Sequence, residues 1–169
     1  MRAAFCASVE DYLATPYADG DREYIDGELL ERNVGELDHS VIQTIIAGWF
    51  HERRMALRVY PLVVVRTQVS PTRFLVPDMA VVLGPRPTGR VLTEPPFLIV
   101  EVESPEDRVV RIARKIDDYL HFGVRFPWSV DPVTLNGHIY TGDRRIVVEN
   151  GVFWTDYPRI ELNLAEIAA

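Results

Sequence analysis

The sequence predicts an α/β fold, a central mixed β-sheet flanked by helices, with an N-terminal β-hairpin. Three observations predict it. Asp26-Gly27 stands between the short runs REYI and ELLER, a strong two-residue hairpin signal. Two segments, near residues 41–50 and 109–120, carry apolar residues at helical spacing. Between and after them lie runs that are apolar on both faces, as buried strands are, so strands and helices interleave. The 169 residues are read as one domain, 1–169.

In chain order, SVEDYLA reads as a short helix capped by Ser8. The Asp26-Gly27 hairpin follows. A helix begins at Asp38, with Val41, Ile42, Ile45, Ile46, Trp49 and Phe50 forming one apolar stripe. His51, Arg53, Arg54 and Arg58 suit its C-terminus. VYPLVVVRTQVS, RFLVPDMAVVL and PFLIVEVE read as three neighbouring strands, the last two near the sheet centre. The turn-rich stretch Gly84 to Pro96 is a loop between two of them. Ser104-Pro105-Glu106-Asp107 has the composition of a helix start. That helix runs to about Phe122, with Val109, Ile112, Ile116, Tyr119 and Leu120 inward, and Gly123 ends it. FPWSVDP is a further buried strand. LNGHIYTG and RRIVVENGVFWT close the chain as an antiparallel pair around Gly142-Asp143.

Apolar residues make up 47% of the chain and charged residues 25%, which excludes a disordered or fibrous protein. The net charge of −7 excludes a generally basic nucleic-acid coat or a polybasic membrane binder, so any nucleic-acid site must be a local patch. Cys6 is the one cysteine, which excludes an intramolecular disulfide and a cysteine-rich zinc site and fits a reducing cytoplasm. No apolar run approaches the roughly 20 residues of a membrane span. Glu10 and Asp11 come before any long apolar stretch, so no signal peptide is expected. Of the 18 basic residues one is lysine, Lys115. Genome composition accounts for an arginine bias, but a compact ammonium also does what a guanidinium cannot in a tight site.

Three carboxylates occupy positions where buried strands should be apolar. Asp78 shares a face with Val76, Ala80 and Val82, and Glu101 and Glu103 share one with Ile99. Each alone reads as a strand end reaching water or an arginine. Together, on two strands and near their C-terminal ends, they form a cluster that repels itself unless a cation intervenes. Such oxygen-rich sites suit Mg²⁺ or Mn²⁺. On this reading, removing either acid leaves the metal-free fold as stable or more so. Lys115 lies about 40° around its helix from Tyr119 and about 60° from Ile112, bordering the buried face, with Arg108 and Arg111 on the same stripe. That stripe reads either as a solvated face or as cations beside the acids. An acid pair with Mg²⁺ and an ammonium suits phosphodiester hydrolysis, in which the metal activates water and the ammonium orients the nucleophile or neutralises developing charge. His51, His121 and His138 have no ligand spacing, and no Ser-His-Asp set or phosphate-binding glycine loop is visible.

The order Asp78, Glu101, Lys115 resembles the PD-(D/E)XK nuclease superfamily, in a form whose lysine has moved from strand to helix. More closely, the chain resembles the Uma-type restriction endonuclease family of bacteria. The matching stretches are SVEDYLA, Glu23 to Leu29, the helix opening at His39, VPDMAVVLGP, EPPFLIVEVESP, Lys115 with Tyr119 and Gly123-Val124, and WSVDP. The resemblance implies a restriction-endonuclease-like fold, a Mg²⁺-type metal and DNA endonuclease chemistry. It makes Asp78 and Glu101 metal ligands, the Val102 carbonyl a further ligand and Lys115 the catalytic lysine. Glu28, His39, Glu103, Arg111 and Tyr119 are the supporting candidates around them. Glu23 and Glu28 match the family's hairpin, and both also read as a solvated edge. Arg111 stands where the family usually has Asp, and Glu103 stands where the wider superfamily places its lysine. A two-fold homodimer in the cytoplasm, acting on DNA, is the expected assembly. The alternatives are a nuclease-fold binding protein with little activity and a phosphoesterase for small nucleotides.

Overall fold

The structure, a computed structural model, describes residues 7–14, 22–32, 36–104 and 109–168; the side chains of Val109 and Val110 are not described. Cys6, Arg108 and the Pro105-Glu106-Asp107 helix start lie outside the described residues.

Helix α1 (Val9–Ala14) opens on Ser8, whose Oγ accepts from the Asp11 backbone N–H at 3.1 Å. The hairpin pairs β1 (Arg22–Ile25) with β2 (Glu28–Glu31). Both turn residues are left-handed, Asp26 at φ 51° and Gly27 at φ 98°, as a turn matching strand twist requires. Helix α2 spans Leu37–Leu57 and buries Ile42, Ile46 and Phe50. Val41, expected inside, is 45% exposed, because the buried stripe follows the i, i+4 row and leaves Val41 to one side.

Each of the two long β-rich runs divides, contrary to the sequence reading. VYPLVVVRTQVS becomes β3 (Val59–Val63) and β4 (Thr67–Ser70), with Val64 between them at φ 49°. RFLVPDMAVVL becomes β5 (Arg73–Leu75) and β6 (Met79–Leu83), interrupted at Pro77, which has no N–H for a ladder. The halves go to different sheets. Strand β7 (Leu98–Val102) leads to helix α3 (Val109–Phe122), which ends at Gly123 with φ 108°. Then come β8 (Phe126–Val130), β9 (Gly137–Thr141), β10 (Arg144–Val148), β11 (Val152–Thr155), β12 (Ile160–Asn163) and α4 (Leu164–Ile167).

Six strands form a mixed sheet in the order β10-β9-β8-β7-β6-β3. Its neighbours are antiparallel except β7 and β8, the parallel pair that α3 connects. A four-stranded antiparallel sheet, β2-β1-β5-β4, carries the hairpin, and β11-β12 form a small third sheet. Strand alternation sorts β7 into two cores. Leu98, Val100 and Val102 pack with Ile42, Ile46 and Phe50 of α2, whereas Ile99 packs with Ile116 and Tyr119 of α3. A third cluster joins Tyr12 of α1 to Tyr24 and Phe74 of the four-stranded sheet, with ring centroids 5.2–6.2 Å apart. Arg73 ties that sheet to α3, bonding Asp26 at 2.9 Å and Asp118 at 2.8 Å. Among the described residues no helix is long and apolar enough to cross a membrane.

A close backbone approach lies where β9 meets β8. A Cβ on Gly137 would stand 2.0 Å from the Ser129 carbonyl oxygen, a backbone atom that cannot swing away. Gly137→Ala is therefore expected to lower unfolding free energy by about 3 kcal/mol, read by urea denaturation with an unchanged m-value. A loss under about 0.5 kcal/mol would mean that the β8–β9 pairing yields freely.

Candidate active site

The site forms because β6 and β7 run antiparallel. Their register pairs Met79 with Val100 and Ala80 with Ile99, so one step further Asp78 comes opposite Glu101. Glu101 points to the α3 face, shared with Ile99, whereas the helix partner of the Asp78 side chain is His39 of α2. The sequence reading put Asp78 near a strand's C-terminal end. It lies instead at the entry to β6, and antiparallel pairing brings that entry to the C-terminal end of β7. The Val102 backbone N–H donates to Asp78 Oδ2 at 2.8 Å.

Lys115 comes from α3. Its Nζ lies 2.7 Å from Glu101 Oε1 and 3.0 Å from Glu23 Oε1. Tyr119, one helical turn on, donates its hydroxyl to Glu101 Oε1 at 2.6 Å. Glu23, Asp78, Glu101 and Lys115 are between 1% and 8% exposed. Three carboxylates and one ammonium are thus buried together at the junction of the two larger sheets.

Asp78 has its own partners. Arg32, just past β2, donates to Oδ1, and His39 Nε2 lies 3.1 Å from Oδ2. Gln43, one turn along α2 from His39, donates to the Asp78 backbone carbonyl at 2.8 Å. Arg111 reaches Glu23 Oε2 at 3.5 Å.

The candidates of the sequence reading therefore divide. Asp78, Glu101, Lys115, His39, Tyr119 and Val102 are brought together, and Arg111 joins through Glu23. Glu28 is exposed on β2 and, among the described residues, makes no bond to the cluster; the hairpin's buried acid is Glu23, whose side chain leaves β1 on the face opposite Tyr24. Glu103 lies apart from Lys115, lining a cleft with Glu36, Asp38 and His39. Sequence reasoning missed Arg32 and Gln43. The i, i+4 spacing of His39 and Gln43 is a signal for a shared helix face, but Arg32 has none, since it follows the last paired residue of a hairpin.

Burial and charge act differently on the acids. Burial pushes Glu101 up to about 7, and the nearby Asp78 and Glu23 charges push the same way against Lys115. Asp78 is also buried, yet its carboxyl is held below the usual range by the His39 hydrogen bond and the Arg32 charge. His39 is raised by its bond to Asp78. Burial works against the Lys115 charge, but Glu101, Glu23 and Asp78 outweigh it and the ammonium is favoured. Loss of the Asp78 carboxylate is therefore expected to destabilise the metal-free fold, where like-charge repulsion alone predicts no loss. It strands Arg32 and His39 without their counter-charge.

These arrangements define a restriction-endonuclease-like architecture, a mixed sheet between helices with acids at the β6–β7 junction and a lysine on the following helix. The chain belongs to the Uma2 family, whose description is "Putative restriction endonuclease" and which it matches over residues 9–165. It is similar to a crystal structure from Anabaena variabilis titled as that of "a putative nuclease belonging to DUF820". The two share 17% identity, with 94% of this chain and 96% of that one covered at a TM-score of 0.82. No curated protein matches the chain.

The pH dependence follows in sign. Glu101 titrates at 4.5 ordinarily and near 7 in the fold, so the fold binds its proton more tightly than the unfolded chain does. Its contribution is complete below about pH 4.5 and is lost as pH rises through 7. In EDTA, Glu101→Gln is therefore expected to gain on the parent between pH 4.5 and 7.5, whereas Asp78→Asn loses on the order of 2 kcal/mol at pH 7. Urea unfolding across that range measures both. A pH-independent difference for Glu101→Gln would overturn the buried-charge account.

Proposed function

We propose that this protein is a metal-dependent DNA endonuclease that hydrolyses phosphodiester bonds. Asp78 and Glu101 hold a divalent cation, Mg²⁺ or Mn²⁺, and Lys115 is the catalytic ammonium. The observation that supports this most directly is the buried opposition of Asp78 and Glu101 beside Lys115. Like charges directly opposite across two strands are destabilising, and a cation between them removes the conflict. The donor set fits a hard cation, because carboxylate oxygens are its preferred ligands. Both Lys115 and Tyr119 contact Glu101 through Oε1, and Oε2 carries no hydrogen bond among the described residues. No group of three or more His, Cys, Asp or Glu side chains among those residues converges on one point. Asp78 and Glu101 would hold the ion, and the Val102 carbonyl is the further protein ligand that the family resemblance implies. A bound divalent cation supplies Lewis acidity, lowering the pKa of water and offsetting charge on the phosphate.

The chain's own groups do the rest. Tyr119 and Lys115 fix one oxygen of Glu101 and so orient the other. Glu23 holds the ammonium from the opposite side, and Arg111 holds Glu23. An ammonium has three N–H donors; two face Glu101 and Glu23, and the third serves an incoming phosphate oxygen, where it neutralises charge as the transition state forms. Glu23, Arg111, Arg114 and Lys115 line a cavity of about 380 Å³. Asp118 also lines it, so three cations face two acids there, a small positive excess toward a polyanion on a chain of net charge −7. A two-fold homodimer belongs to the same proposal, since paired sites match the symmetry of a duplex.

Calorimetric titration with Mn²⁺, followed by plasmid cleavage, tests the assignment. Asp78→Asn and Glu101→Gln are expected to abolish both. Lys115→Arg keeps Mn²⁺ binding and loses cleavage by about a hundredfold, since a forked guanidinium places its charge differently from an ammonium. Full cleavage by Lys115→Arg, or parental Mn²⁺ affinity in both acid variants, would overturn the roles. Hydrolysis of small nucleotides without plasmid cleavage would instead assign a nucleotide phosphoesterase. Light scattering at micromolar concentration is expected to give the mass of two chains, and a strictly monomeric species counts against the dimer.

A further inference from the structure

Asp78 is occupied on every side. Oδ1 takes Arg32, Oδ2 takes His39 and the Val102 N–H, and its backbone carbonyl takes Gln43. Three of these partners are built into rigid elements. His39 and Gln43 sit on the first turns of a 21-residue helix, and Val102 is backbone of a central strand. Arg32 differs. It follows the last paired residue of the hairpin, Glu31, on a long side chain that remains 19% exposed. Among the described residues its guanidinium is the one cation on Oδ1, the oxygen of Asp78 that neither His39 nor Val102 occupies.

We infer that Arg32 is a placeholder for the metal. It neutralises Asp78 while the site holds no divalent cation, and it gives up Oδ1 when one is taken up. The inference rests on the reading of Asp78 as a metal ligand and adds a regulation of that site. The charge count favours the exchange. Lys115 serves Glu101 and Glu23, and Arg111 also serves Glu23, so among the described residues the cations that contact Asp78 are Arg32 and, when protonated, His39. A singly charged guanidinium reaches only Asp78, whereas a doubly charged ion reaches Asp78 and Glu101 together. His39, bonded to Oδ2, holds the carboxylate in place during the exchange. Metal affinity is then set by competition with a tethered cation. If only a fraction of molecules has Oδ1 free, the apparent dissociation constant rises by the reciprocal of that fraction. A contact formed nine-tenths of the time weakens metal binding about tenfold.

The test is Mn²⁺ calorimetry on the full chain, with melting curves in EDTA and in Mn²⁺. Arg32→Ala and Arg32→Gln are each expected to bind Mn²⁺ about tenfold more tightly than the parent. Both should melt lower in EDTA and show a larger Mn²⁺-induced rise. Arg32→Lys, which keeps the charge, should stay near the parent. Arg32→Gln retains length and polarity, so it decides the matter if Arg32→Ala does not fold. A purely structural Arg32 predicts the opposite, since loosening Asp78 would weaken Mn²⁺ binding; unchanged or weaker affinity in the variants overturns the inference. If neither parent nor variants bind Mn²⁺, the metal reading of Asp78 itself is overturned. Binding by Arg32→Gln alone would support both.

Discussion

The antiparallel pairing of β6 with β7 is the constraint on which the rest of the site depends. It fixes Asp78 opposite Glu101, an arrangement that costs stability in itself because two carboxylates face each other out of water. Each nearby cation answers that placement. Lys115 reaches down from α3, Arg32 from the end of the hairpin and His39 from the start of α2. The site is therefore a junction, and elements distant in sequence meet there because each carries part of the compensation.

Such a cluster is weak evidence for stability, since well-packed apolar residues would serve a core at least as well. Its asymmetry is more informative. Asp78 is held ionised by His39 and Arg32, whereas Glu101, with Lys115 and Tyr119, remains poised near 7. Adjacent buried acids whose environments push their ionisation apart are a pattern found at functional sites and in structural ion-pair networks alike. The apolar cores on the two faces of β7 hold the geometry, because Val100 and Val102 lock into α2 while Ile99 locks into α3. A strand fixed on both faces cannot rotate Glu101 away from its partner.

Much of this was legible in the sequence, for a physical reason. A carboxylate inside an apolar strand is a local contradiction, and Asp78 and Glu101 announced themselves by it. Lys115 was legible from its position bordering the buried stripe of α3 and from its rarity. The hairpin acids were not separable, because Glu23 and Glu28 both alternate beside a turn and only the packing of the hairpin on α3 buries one of them. Arg32 and Gln43 were not legible either. Their roles come from contacts spanning 46 and 35 residues, and no local pattern encodes such contacts. The split of the two long β-rich runs was missed because each reads as continuous by composition. Val64 in a left-handed conformation and the proline before Asp78 divide them between sheets.

Arg111 shows how a change of sign can be absorbed. The family resemblance leads one to expect an acid there, four residues before Lys115. In this chain the guanidinium binds Glu23 Oε2, the oxygen that Lys115 leaves free. An acid at that position would add a fourth carboxylate to the surroundings of one ammonium and draw Lys115 away from Glu101. An arginine there instead shares the charge of Glu23, which leaves the shorter 2.7 Å contact of Lys115 to Glu101. The ammonium is thus biased towards the β6–β7 junction, where the two opposed acids lie. The departure at 111 is compatible with a working lysine because the charge it brings falls on Glu23, the carboxylate farther along the row from Asp78, and leaves the Asp78–Glu101 pair intact.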